Sequence, residues 1–117
     1  MKPHEILETA LKETGLPVAE EKYYGSNNRY IVYNEADQIP SFYVDNAPVN
    51  EKTFYQVHYF CPLRPQEEDD SRNITRKIRK ILWKHEFSIT RTRRTYDDKR
   101  HVIIECNLTT KSEESED

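Results

Sequence analysis

Hydrophobic positions along this chain change their spacing several times, and each change marks an element. Near the start, Ile6, Leu7, Ala10 and Leu11 recur at helical spacing. Pro3 suits the first turn, where its missing N–H has no helical partner to lose. Gly15 stands at the C′ position, which favours a left-handed residue. Leu16 is then placed to touch Leu11, and Pro17 bars continuation. The pattern predicts a helix over residues 4–14.

From Pro17 to Arg64 the spacing shortens to that of strands. Arg29–Asn34 (RYIVYN) and Phe54–Cys61 (FYQVHYFC) are rich in aromatic and β-branched residues. Phe42–Asp45 is a shorter run between Pro40 and the turn-like Asn46-Ala47-Pro48. Asn27-Asn28 and Asn34–Asp37 read as turns, and Pro62 closes the last strand of the group. Short strands with polar turns between them predict an antiparallel meander.

A second helix follows the acidic stretch Gln66–Asp70, with Asp70 or Ser71 as its cap and the acids favouring its dipole. Ile74, Ile78, Ile81 and Leu82, continued by His85, form one apolar stripe. Arg72, Arg76, Arg79 and Lys80 occupy the opposite face. Trp83 falls roughly 150° from the centre of the stripe, on the basic side and away from the core. Phe87–Thr95 alternates briefly and turns basic, and Tyr96–Lys99 reads as a hairpin turn. Val102–Leu108 is a strong strand with Val102, Ile104, Cys106 and Leu108 on one face. There are no internal repeats.

These elements predict a single α+β domain over residues 1–110. Its sheet is mainly antiparallel or mixed, of four to five strands, flanked by two helices in the order α-β-β-β-α-β-β. The closing KSEESED has no apolar anchor, so residues 111–117 are expected to form a disordered acidic tail.

Composition sharpens this picture. Hydrophobic residues make up 35% of the chain and charged residues 33%, so the core must be thin and the surface very polar. Eight tyrosines and four phenylalanines offset this, since each ring buries a large area. No apolar run approaches the ~20 residues needed to cross a bilayer. The charged start MKPHEILETALKE does not read as a signal peptide. Cys61 and Cys106 lie far apart inside apolar strands, where they are expected to be buried and reduced, in a cytoplasm.

Charge is distributed in blocks. Residues 1–71 carry 6 basic and 13 acidic side chains, whereas residues 72–100 carry 11 basic and 3 acidic ones. Residues 101–117 return to acidity, with 1 basic and 5 acidic. One strongly positive block therefore sits on an otherwise negative molecule.

Catalytic signatures are missing. His4, His58, His85 and His101 stand in no metal-binding spacing, and His58 shares strand parity with Phe54 and Phe60, as a satisfied sheet histidine does. There is no nucleophile elbow, phosphate loop or dinucleotide fingerprint. The acids Glu67–Asp70 are adjacent in sequence and expected to be solvated. No catalytic residue, cofactor or metal is predicted.

The basic block admits three readings: a solvated helix face, a nucleic-acid stripe with Trp83 and Tyr96 as stacking rings, or a protein interface. An isoelectric point near 5.8 opposes the long-range attraction on which nucleic-acid binding depends. A protein interface uses both signs, because a basic and an acidic face can dock head to tail and close a ring. Its candidate residues are Arg72, Arg76, Arg79 and Trp83 on the helix, with Arg91, Arg93 and Arg94 on the hairpin.

Five segments in this order carry a resemblance: HEILETALKETGLPV, YIVYNE, FYVDNAPVNEKTFYQVHYFCP, ITRKIRKILWKHEFSITRTRRTY and RHVIIECNL. Over residues 3–110 the chain resembles the small tail-completion or tail-terminator proteins of long-tailed phages and prophages of Gram-positive bacteria. The resemblance implies an α/β fold with a sheet flanked by helices. It also implies a ring, typically hexameric, that caps the tail tube and joins the head connector. Such a protein resides in the virion tail or head–tail junction, and in the host cytoplasm before assembly, with DNA met, if at all, only in the ring lumen. Head–tail adaptors and minor capsid proteins share its size and pattern. The alternative reading is a small nucleic-acid-binding accessory protein that uses residues 72–100.

Overall fold

The structure, a computed structural model, describes residues 2–44 and 47–111, with side chains described for 2–40 and 50–111. Helix α1 (Pro3–Lys12) starts at its proline, and the Glu5 carboxylate accepts from the Lys2 backbone N–H at 2.8 Å. It ends in a tight turn in which Gly15 takes φ +80, as its place after the stripe demands.

A short strand β1 (Val18–Glu20) comes next, and the sequence pattern gave no sign of it. Strands β2 (Tyr30–Val44) and β3 (Ala47–Pro62) then form one long hairpin. The expected turn at Asn34–Asp37 is not there. Those residues continue β2, with a bulge between Glu35 and Asp37 that absorbs their turn-like character. Phe42–Val44 likewise belongs to β2 rather than to a separate strand, and Ala47 and Pro48 already lie in β3. Asp45 and Asn46 fall outside the described residues.

Helix α2 (Glu68–Lys84) follows a single 3-10 turn at Pro65–Glu67, so it begins earlier than Asp70. Strands β4 (Ser88–Tyr96) and β5 (Lys99–Lys111) form the final hairpin around Asp97 and Asp98. The tail beyond Lys111 lies outside the described residues.

The result is a five-stranded mixed sheet in the order β1-β2-β3-β5-β4, with β1 parallel to β2 and every other pair antiparallel. It is not a meander, because β5 inserts between β3 and β4. The α+β class, the two helices and the order α-β-β-β-α-β-β are as expected, with β1 supplying one of the first three strands.

Both helices cover the same face of the sheet. Leu7 and Leu11 of α1 and Ile78 and Leu82 of α2 meet Ile31, Tyr33, Val57, Tyr59, Val102 and Ile104 in one core. Alternation along each strand selects these residues, since successive side chains point to opposite faces. The Tyr33 hydroxyl donates to Glu8 at 2.9 Å and ties α1 to the sheet. Glu13 accepts from Lys84 and from His85, each at 2.6 Å, and ties the ends of the two helices together. Cys61 and Cys106 are both buried on the core face as free thiols. Burial pushes the Cys106 thiol up to about 12 and the Cys61 thiol upward as well. Cys106 pairs across the ladder with Tyr55, six residues from Cys61. The two sulfurs are thus roughly 20 Å apart, well outside disulfide reach.

Candidate functional site: the open sheet face and the two edges

With both helices on one side, the other face of the sheet carries no covering layer among the described residues. Strand register arranges its side chains in rows. One row runs Arg91, Glu105, Gln56, Asn34; the next Arg93, Ile103, His58, Val32; the third Thr95, His101, Phe60, Tyr30.

Aromatic rings cross this face as a stack. Phe60 lies 4.2 Å from His101 and 5.0 Å from Tyr30, centroid to centroid, with interplanar angles of 19° and 24°. Tyr23 extends the stack from the connection between β1 and β2, 4.4 Å from Tyr30. A Cβ at position 25 would stand 2.1 Å from the Tyr23 hydroxyl, so a larger residue there would displace the Tyr23 ring. Lys99 donates to the Tyr30 hydroxyl at 2.9 Å and lies over its ring.

Beside the stack, two histidines that are distant in sequence meet. His58 Nε2 is 2.8 Å from Asn34 Oδ1, and His58 Nδ1 is 2.8 Å from His101 Nε2. Asn34 donates through Nδ2 to Gln56 Oε1 at 3.3 Å, which leaves Oδ1 as the acceptor. His58 therefore carries its proton on Nε2 and accepts from His101 through Nδ1. Burial, then the neighbouring His101 and Arg93, hold His58 down at about 4. Burial and Arg93 lower His101 too. The pair is neutral and satisfied at pH 7, as expected of a sheet histidine. Cys61 has the opposite strand parity and faces the core, so no thiol stands beside it.

A pH dependence follows with a definite sign. Below about 6.5 the unfolded histidine takes a proton that folded His58 refuses down to about 4. Stability is full above that window and is lost as pH falls through it. The melting temperature should drop between pH 7 and pH 5, and less steeply in His58→Gln. A wild-type melt that is flat over this range, or a variant equally steep, contradicts the assignment.

The cleft beside Tyr23 has a volume of about 350 Å³ and is lined by Glu21, Tyr30, Asn34, His58 and Phe60 among others. Glu21 is exposed at its rim and takes φ 64, an uncommon backbone conformation for a residue with a side chain.

The seven basic-block candidates divide among four positions. Arg76, Arg79 and Trp83 come together on the outer face of α2 with Lys80, around a groove of about 220 Å³. Trp83 is 54% exposed, and the Arg79 guanidinium lies 5.2 Å from its ring centroid. Arg72 pairs with Glu68 and Asp69 one to two turns earlier. Arg91 and Arg93 stand on the open sheet face, and Arg93 pairs with Glu105 at 3.3 Å. Arg94 points the other way and donates to Ser71 at 3.0 Å, bonding β4 to α2. All seven therefore belong to the β4/α2 side of the molecule, but on both of its layers.

The acidic stretch before α2 is not simply solvated. Glu67 is 4% exposed and pairs with Arg29 and Arg64, and Glu68 pairs with the buried Arg100. Arg64 is three residues away, but Arg29 and Arg100 come from distant parts of the chain, which sequence adjacency does not reveal.

Topology also converts the charge blocks into geometry. α1 packs on β1 and α2 packs on β4, so each helix sits over one edge of the sheet. Glu8, Glu20, Glu21, Glu35 and Asp37 gather at the α1/β1/β2 edge, and Arg76, Lys77, Arg79, Lys80, Arg91 and Arg93 at the α2/β4 edge. Lys12 and Lys22 share the first edge, and Asp69, Asp70 and Glu86 the second, so the two edges are opposite in the sign of their net charge.

Among the described residues no group of three or more His, Cys, Asp and Glu side chains could hold a metal ion, and no helix is long and apolar enough to cross a membrane. No protein-family model and no curated protein matches the chain. A solved protein structure that carries no functional description matches 99% of this chain and 100% of its own, at 12% identity and a TM-score of 0.56, a likeness that shows the fold alone.

Proposed function

We propose that this chain is a non-enzymatic assembly protein of a long-tailed phage or prophage, joining head to tail into a ring, sixfold as the resemblance implies. The ring sits at the tail end or head–tail junction, terminates the tail tube and meets the head connector. One observation carries the reading beyond the resemblance: the opposite charge of the two sheet edges. A surface of that kind is complementary to a second copy rotated about a ring axis, because each acidic edge then faces a basic one. The edges also bear the devices that discourage indiscriminate strand pairing, with bulges in β2 and β4 and Pro40 on β2. Contact between subunits then runs through side chains, and charge sets its orientation.

Nucleic-acid binding by residues 72–100 receives less support. The rings of the open face spend their faces on one another, and the two exposed rings of the block stand on different elements, Trp83 on α2 under Arg79 and Tyr96 at the end of β4 under Arg100. A single-strand groove needs successive free rings along a basic track. The test is co-assembly with the tail-tube protein, viewed by electron microscopy beside a DNA titration at physiological salt. Rings capping tube ends without DNA binding are expected. A monomer that leaves the tube uncapped, or that binds DNA, overturns the proposal.

A further inference from the structure

We propose that the cleft bounded by Glu21 is the socket for Arg91 of a neighbouring copy of this chain, an inference that rests on the ring reading and supplies its principal contact. Arg91 is the β4 arginine left over. Arg93 is held by Glu105 and Arg94 by Ser71, whereas Arg91 is exposed with no ion pair among the described residues. Glu21 is its counterpart at the other edge, exposed and likewise without an ion pair among the described residues.

Position matches charge. Arg91 and the cleft lie on the same face of the sheet, at opposite edges, and Arg91 begins the cross-strand row that ends at Asn34 in the cleft. Setting one sheet edge beside the next, with a small rotation, carries Arg91 along its own row toward the neighbour's Asn34 and Glu21. The cleft suits a guanidinium. The Glu21 carboxylate accepts hydrogen bonds, Asn34 Oδ1 keeps a second lone pair beside the one that accepts from His58, and Tyr23 and Tyr30 line the cleft beside the stem. Lys22, also at the rim, has its ammonium over the Tyr24 ring, 5.3 Å from the centroid. The left-handed backbone at Glu21 then has a use, because it turns the chain out of β1 at the mouth of the cleft.

The experiment is a charge swap, followed by sedimentation under the conditions in which the wild-type chain associates, alone or on the tube protein. Glu21→Arg and Arg91→Glu should each weaken association at least about tenfold, and the two together should restore most of it. Both positions are exposed, so thermal melts of all variants should coincide. If a reversed charge does disturb the fold, Glu21→Gln and Arg91→Gln provide milder versions that should each weaken association. Single variants that associate like the wild type, or a double variant no better than either single, overturn the socket and leave the ring standing. A wild-type chain that associates in neither setting overturns both.

Discussion

Replacing Glu68 with alanine should destabilise the fold by about 3–5 kcal/mol, the usual cost of stranding a buried charge. Arg100 is 4% exposed, and its guanidinium reaches the Glu68 carboxylate through Nη1 and the Arg64 carbonyl through Nη2 at 3.2 Å. A carbonyl alone does not neutralise a cation held away from water. Glu68 also opens α2, where its charge favours the helix dipole. The reverse deletion should cost clearly less. Arg100→Met leaves a carboxylate whose side chain is one-third exposed and still pairs with Arg72 at 3.2 Å. Urea unfolding of both variants reads the asymmetry directly. Equal losses would mean that packing, and not the stranded charge, governs this site.

Trp83→Ala should have the opposite profile: little effect on the monomer and a large one on assembly. The ring is half in water, on the face of α2 turned away from the Ile78–Leu82 side that enters the core. Removing it should change unfolding free energy by no more than about 1 kcal/mol, as at other exposed positions. In the proposed ring the same side chain would be an anchor of the type that dominates interfaces, flanked by Arg76 and Arg79. Its loss should weaken association by at least about 2 kcal/mol, roughly thirtyfold. A melt and an assembly assay on this one variant separate the two roles. A variant that melts and assembles like wild type removes Trp83 from the interface, and one that unfolds makes it a core residue.

Local features of the fold were legible in the sequence, and features made by register were not. The stripe Ile6–Leu11 and its closing Gly15 have a local cause, so α1 could be placed within two residues at its end. Alternation in Val102–Leu108 assigned the core face of β5 correctly. β1 escaped notice because three residues, Val18–Glu20, are too few to show a period and owe their strand form to pairing with Ile31–Tyr33. Asn34–Asp37 looked like a turn because turn residues also serve in a bulge. The His58–His101 contact depends on the pairing of β3 with β5, forty-odd residues apart, and no local spacing encodes it. Charge behaved in both ways. The blocks were countable from the chain, but only the strand order set them on opposite edges. The alternation of Arg91 and Arg93 against Arg94 was in the sequence, and could have split the interface candidates between two faces.

Opposite edges of opposite charge are the centre of this account, and the mass of the assembled chain as a function of salt tests them most directly. Sedimentation or native mass spectrometry should be run at about 0.1 M salt, where charges act over ~10 Å, and at about 1 M, where they act over ~3 Å. One closed oligomer of more than two subunits is expected at the lower salt, on the tube protein if not alone, and its dissociation at the higher. A two-fold dimer that persists in 1 M salt contradicts it, because such an assembly closes without a ring and does not depend on the charge of the edges.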